Sequence, residues 1–187
     1  MIDRLDRKSM PGHTFLRGDD ITLRPIEADD AEFLAETINH PDVWPALGAY
    51  DPLNDQQERE WIESLGDSDD IHLLICADDE PVGTIGLNEM FDVWGTAELG
   101  YYLHPDAQGN GYASDAARRL VRYGFEDHRL AKVYANVYEG NDASQAVLES
   151  VGFEREGVFR DHAFVRGERV DVYRYGLLAE EFGADAE

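Results

Sequence analysis

A single cysteine, Cys76, stands in the 187-residue chain, so no disulfide can form within it. It lies inside the apolar run LLICA, where a free thiol acts as a small core hydrophobe. Lysine is almost as scarce, with Lys8 and Lys132 standing beside fourteen arginines. Sixteen basic residues face 40 acidic ones for a formal net charge of -24, the opposite of the basic footprint that binds a phosphate backbone. Nucleic acid is therefore not an expected partner. No apolar run approaches the roughly 20 residues of a membrane span, and the opening MIDRLDRKSMPGH lacks the apolar core of a secretion signal. No membrane partner is expected, and the expected setting is a reducing cytoplasm. The six histidines (13, 40, 72, 104, 128 and 162) show no metal-ligand spacing, so no metal is expected either.

The acidic residues are spread along the whole chain instead of gathered in one tail, which describes a surface. Such a charge repels itself in dilute buffer, and concentrated salt screens that repulsion. The composition fits a halophilic protein of a salt-rich cytoplasm, and it also fits an ordinary acidic one. Hydrophobic residues make up 43% of the chain, enough for one substantial core. The expected organisation is a polar N-terminal arm over 1–14, one domain over 15–180 and an acidic tail over 181–187, in a monomer or homodimer.

Periodicity assigns the elements in between. FLRGDDITLRPI reads as a strand or short hairpin around a Gly-Asp-Asp turn. ADDAEFLAETIN predicts a helix over 30–39, with Asp29 and Glu32 at capping-box spacing. HPDVWPALGAYDP carries three prolines and reads as a loop. A second helix is expected from Asp55, capped by Asp55 and Glu58, with Trp61, Ile62 and Leu65 facing inward. IHLLICA, VGTIGLNEMF and TAELGYYLH then read as three strands. From 113, the residues Ala113, Ala116, Ala117, Leu120, Val121 and Gly124 follow the i, i+3, i+4, i+7, i+8, i+11 series of a buried helix face. AKVYANVY is a strand, NDASQAVLESVGF a short helix with Asp142 and Gln145 at capping-box spacing and Gly152 as its stop, and 153–166 and 169–178 are two last strands. The class is α/β, a mixed sheet flanked by helices.

One stretch asks for a ligand. QGNGYA, residues 108–113, puts Gly109, Gly111 and Ala113 at the start of the best-defined helix. A helix N-terminus offers unpaired N–H groups and a partial positive charge, and glycines let a phosphate approach them. Plain turn geometry explains two glycines equally well. The spacing does not fit G-x-G-x-x-G, and the turn follows a late strand, so a Rossmann-type dinucleotide site is disfavoured.

QGNGYA matches the Gln/Arg-x-x-Gly-x-Gly/Ala pattern of the GNAT acetyltransferases, with Gln108, Gly111 and Ala113 in the specified places. NDASQAVLESVGFEREG resembles the family's second signature, an Asn followed by a short helix, Gly-Phe and Glu-Gly. LRPIEADDAEFL resembles the opening of the branch that acetylates N-terminal amines of ribosomal proteins. The resemblance spans about 20–180. It implies the GNAT fold, a central, mostly antiparallel sheet with about four flanking helices, and acetyl-CoA as co-substrate. The pyrophosphate would sit on Gln108, Gly109, Asn110, Gly111, Tyr112 and Ala113. The pantetheine would run along the strand ending in Leu103 and His104, where that strand and AKVYANVY splay apart, with Asn141 and Ser144 on the far side.

The resemblance further implies transfer of the acetyl group to a primary amine by direct attack, the favoured acceptor being a protein N-terminal α-amine and the alternatives a small amine or a non-catalytic acyl-CoA sensor. The attacking amine must lose a proton, and Glu98 stands close to where several members carry a catalytic glutamate. A carboxylate that only orients backbone fits that position too. Many members place a proton-donating tyrosine seven residues after the asparagine; here the position is Leu148. Ser144, Tyr101, Tyr138 or water are left as donors to the leaving sulfur. Trp44 is placed at the acceptor entrance or under the core.

Overall fold

The computed structural model describes residues 12–48 and 50–183; most of the expected N-terminal arm and the last four residues of the tail lie outside them. The chain runs through β1 (Leu16–Arg17), β2 (Thr22–Pro25), α1 (Ala31–Ile38), α2 (Trp44–Leu47), α3 (Asp55–Ser64), β3 (Ile71–Ala77), β4 (Glu80–Phe91), β5 (Thr96–Leu103), α4 (Tyr112–Glu126), β6 (Lys132–Tyr138), α5 (Asp142–Val151), β7 (Glu154–Val165) and β8 (Glu168–Leu178). The strands form one sheet in the order β1-β2-β3-β4-β5-β6-β8-β7. Among the described residues no helix is long and apolar enough to cross a membrane.

Strand alternation sends side chains to two separate cores. Leu73, Ile75 and Ala77 of β3 join the larger one, which takes the predicted stripe of α4 and is closed by Leu148 and Val151 of α5. Leu74 and Cys76 point the other way, against Ile26, Leu34 and the inward face of α3, Trp61, Ile62 and Leu65. Cys76 is buried there, and burial pushes its thiol up to about 12, so it is an inert packing group. The stripe expected on α4 is the one buried: Ala113, Ala116, Ala117, Leu120, Val121 and Gly124.

Every neighbouring pair in the sheet is antiparallel except β5 and β6. These two run parallel and keep register over only three rungs, Thr96–Lys132, Ala97–Val133 and Glu98–Tyr134. Past Glu98 they part, leaving Leu99–Leu103 and Ala135–Tyr138 without each other as hydrogen-bond partners. The sheet therefore splits from its middle, and the site lies in the split.

Four local expectations are corrected. The first cap is Glu27 with Asp30, around a single 3-10 turn at Ala28–Asp30, and not Asp29 with Glu32. Helix α3 is capped by Asn54, whose side chain accepts the N–H groups of Gln56 and Gln57, with Gln57 answering back; Asp55 and Glu58 are already inside the helix. Asn141, not Asp142, caps α5, accepting the Ser144 N–H at 3.2 Å. The stretch read as a loop contains α2, because Pro45 lies in the first turn, where a missing N–H costs nothing.

Candidate active site

The split between β5 and β6 widens into a cleft of about 1460 Å³ bounded by α2, the start of α4, α5 and the β7–β8 hairpin. Glu98 and Ser144 both line it, as do Leu103, Gln108, Gly109, Gly111, Tyr112, Ala113 and Asn141. His104 and Asn110 do not line it. The His104 ring accepts the Asp106 N–H at 3.3 Å and meets His40 edge-on at 5.9 Å. The Asn110 amide donates to the carbonyls of Ala107 (3.1 Å) and Gln108 (3.3 Å), folding the turn back on itself. Both side chains shape the loop from outside the cleft.

At the cleft's α4 end the surface is backbone. Gly109 and Gly111 hold φ of +78° and +82°, a conformation that penalises any side chain, and a Cβ at either place would meet no atom within 4 Å. The space is left open in front of them. The first bond of α4 runs from the Asp115 N–H to the Gly111 carbonyl at 3.0 Å, so the amides of Tyr112, Ala113 and Ser114 have no intrahelical acceptor. Gln108 is held by its own amide, which donates to Leu103 O at 3.3 Å. Orphan amides, a helix dipole and a bare glycine surface together fit a diphosphate.

At the opposite end Glu98 occupies the last rung before the strands part. Asn136 donates its amide to Glu98 Oε1 at 2.7 Å, and the Asn136 Oδ1 accepts the Arg174 Nε–H at 3.2 Å. These two bonds fix which way the amide faces. Burial holds the Glu98 carboxyl above its ordinary value; the Asn136 bond opposes that rise, nearby Glu89 adds to it, and Arg174 also opposes it. The Arg174 guanidinium sits over the Tyr134 ring, 4.3 Å from its centroid, while the Tyr134 hydroxyl donates to Glu89 at 2.8 Å. Asn136, Arg174 and Glu89 were not foreseen. The strand order that brings β8 beside β6, with Asn136 opposite Arg174, is the reason those two meet.

Between the two ends, the Tyr101 hydroxyl lies 2.8 Å from Ser144 Oγ and donates to Ser144 O at 3.2 Å. Burial pushes the Tyr101 phenol up to about 12, so it stays protonated as a donor. Tyr138 also lines the cleft, its hydroxyl set where a Cβ on Gly48 would collide with it. Leu148 is fully buried in the larger core. Trp44 does not line the cleft; its ring packs on Tyr50 at 6.4 Å, and Tyr50 does line it, its hydroxyl donating to Phe164 O in the β7–β8 hairpin. Among the described residues no group of three or more His, Cys, Asp or Glu is arranged to hold a metal ion.

The family model of the acetyltransferase (GNAT) domain matches residues 20–154. A putative ribosomal N-acetyltransferase, YdaF, of Bacillus subtilis is 34% identical over 170 residues, covering 87% of this chain and 93% of that one. A solved structure of a probable acetyltransferase is 33% identical with a TM-score of 0.80, covering 88% of this chain and 96% of the other. The spermidine N-acetyltransferase of Vibrio cholerae, solved with CoA and spermine, shares the fold at a TM-score of 0.80 and 24% identity, over 87% of this chain and 97% of that one. A sheet split after three parallel rungs and a glycine cradle at its helix end are thus found with a matching family model: the chain belongs to the GNAT acetyltransferases and is an N-acetyltransferase that uses acetyl-CoA.

Proposed function

We propose that the protein acetylates the α-amine at a protein N-terminus, with Glu98 as the base. The observation that carries this reading is the position of Glu98: half-buried, at the apex of the split, held by Asn136 and facing the open cleft. Transfer forms a C–N bond, breaks the thioester C–S bond and releases one proton from the nitrogen. An α-ammonium has a pKa of about 8 and an alkylammonium about 10.4, so the gap to a carboxylate base is smaller for the α-amine. A carboxyl raised by burial narrows it further. The relationship to a chain named as a putative ribosomal N-acetyltransferase points the same way.

The other residues take supporting parts. The amides of the 109–114 turn hold the diphosphate of the donor, and Gln108, Leu103 and Asn141 border the arm that follows. The Tyr101–Ser144 pair faces the sulfur. A phenol held at about 12 does not give its proton to a thiolate whose acid has a pKa of about 8.5; it donates a hydrogen bond and stabilises the charge. Ser144 keeps that phenol oriented. Mass-spectrometric screening of peptides and small amines with acetyl-CoA in high salt tests the reading. Acetylation at peptide α-amines supports it, and acetylation of small amines alone overturns it.

A further inference from the structure

Among the described residues Glu58 is a carboxylate without a counter-ion. It is 3% exposed on the inner side of α3, and its carboxyl makes no hydrogen bond or ion pair with any described residue. Burial alone holds it above the ordinary carboxylate range. Its neighbour Arg59 turns outward to the Ala28 carbonyl, and burial pushes His72, across the chamber, down towards the uncharged form. An uncompensated buried charge costs several kcal/mol, and an apolar residue would fill the place without that cost.

Glu58 also faces empty space. A chamber of about 450 Å³ lies beneath α3, with Leu47, Leu53 and Trp61 as apolar walls and His72, Thr84 and Tyr102 as polar ones. It shares Leu47, Asn88, Gly100, Tyr101 and Tyr102 with the cleft, so the two adjoin. Part of its lining is the cross-strand pair Gly86–Gly100, against which the side chains of His72 and Asn88 rest. By strand alternation Glu98, Gly100 and Tyr102 share this face, with Gly100 about 6.6 Å and Tyr102 about 13 Å from Glu98 along the strand.

We propose that this chamber is an acceptor subsite for a second, cationic group carried on an aliphatic arm of the amine being acetylated, with Glu58 as its counter-ion. The proposal rests on the acetyl-transfer reading for the placement of the reacting amine at Glu98. The apolar walls take the arm, and the span corresponds to about five to eleven bonds at ~1.2 Å each. Two sources share this chemistry: a free aliphatic diamine, and a peptide N-terminus whose first side chain is basic.

Calorimetric binding to the CoA-loaded protein separates the possibilities without needing turnover. The wild type should bind α,ω-diaminohexane at least tenfold more tightly than aminohexane. Glu58→Gln should remove that preference while leaving CoA affinity unchanged. The preference should persist in molar salt, since a buried pair is screened far less than the acidic surface. A second pair, peptides beginning with lysine or norleucine, identifies the source: discrimination confined to one pair assigns the subsite to that kind of acceptor. Equal binding of amine and diamine by the wild type, with equal binding of the two peptides, overturns the proposal even if Glu58→Gln does not fold. Retained preference in a folded Glu58→Gln overturns it too. Glu58-dependent binding with no acetylation of any acceptor would uphold the subsite and sink the transfer reading.

Discussion

Substituting Gly111 by alanine separates the two things this residue does. At φ of +82° an L-residue costs about 1–2 kcal/mol relative to glycine, and the stiffer unfolded chain returns about 0.4–1 kcal/mol of that. The net loss of roughly 1 kcal/mol lowers the melting temperature by about 2–4 °C for a domain of this size. In the free protein the new methyl meets nothing within 4 Å, so no further penalty arises. With acetyl-CoA bound, the same methyl stands where the diphosphate approaches the orphan amides. Losing one charge-assisted hydrogen bond costs about 1.5–3 kcal/mol, or roughly 10- to 100-fold in Kd. Gly167→Ala is the control, because Gly167 has a φ of +92° and equally empty surroundings but lies in the β7–β8 turn and does not line the cleft. Calorimetry with acetyl-CoA and thermal melts on both variants give the comparison. Both should melt a few degrees lower, and only Gly111→Ala should lose affinity. A Gly111→Ala protein that binds within twofold of wild type would refute the cradle, and Gly111→Glu, which adds a carboxylate there, should then bind as well.

Glu98→Gln should slow transfer by about 100- to 10,000-fold with acetyl-CoA affinity unchanged; full activity at neutral pH means Glu98 is not the base. Because the folded carboxyl lies above its unfolded value, ionised Glu98 costs stability above that range and the cost disappears as pH falls. The same variant should therefore melt higher than wild type at neutral pH and not in acid. Asn136→Ala removes the bond that holds the Glu98 carboxyl down, so the acid limb of the kcat/KM profile should move to higher pH; an unmoved limb breaks the link between the two. Tyr101→Phe should lower kcat about 10- to 100-fold through the lost hydrogen bond to the thiolate, and an unchanged kcat removes it from the chemistry. Melting temperature should rise with KCl because 40 acidic residues face 16 basic ones, and a salt-independent melt contradicts the halophilic reading.

Features carried by long local patterns were readable in the sequence. The α4 stripe repeats over about three turns, and its buried set is the one read from spacing. The cap positions slipped because Asn54 and Asn141 each precede an aspartate, and spacing alone does not tell which of two neighbouring acceptors turns towards the free amides. Helix α2 has four residues, too few for a period, and its proline reads as a breaker unless its place in the first turn is known. The open turn at Gly109 and Gly111 was legible because glycine has a backbone meaning of its own. Asn136, Arg174 and Glu89 were not, because cross-strand partners are set by the order of strands in the sheet, and adjacent sequence carries no mark of it. Trp44 was the conspicuous aromatic of its loop, but Tyr50, six residues on, is the one that lines the cleft.

The split in the sheet also has a bearing on how the molecule comes together. Glu98 reaches Asn136 across 38 residues, and Asn136 reaches Arg174 across another 38. The meander β3-β4-β5 and the β7–β8 hairpin close over short turns, whereas the three rungs joining β5 to β6 gather little pairing for the loop they must close. Refolding should accordingly assemble two half-sheets first and dock them last. The ability to bind acetyl-CoA would then be the final property the refolding chain acquires, lagging behind the packing of Trp61 against the smaller core.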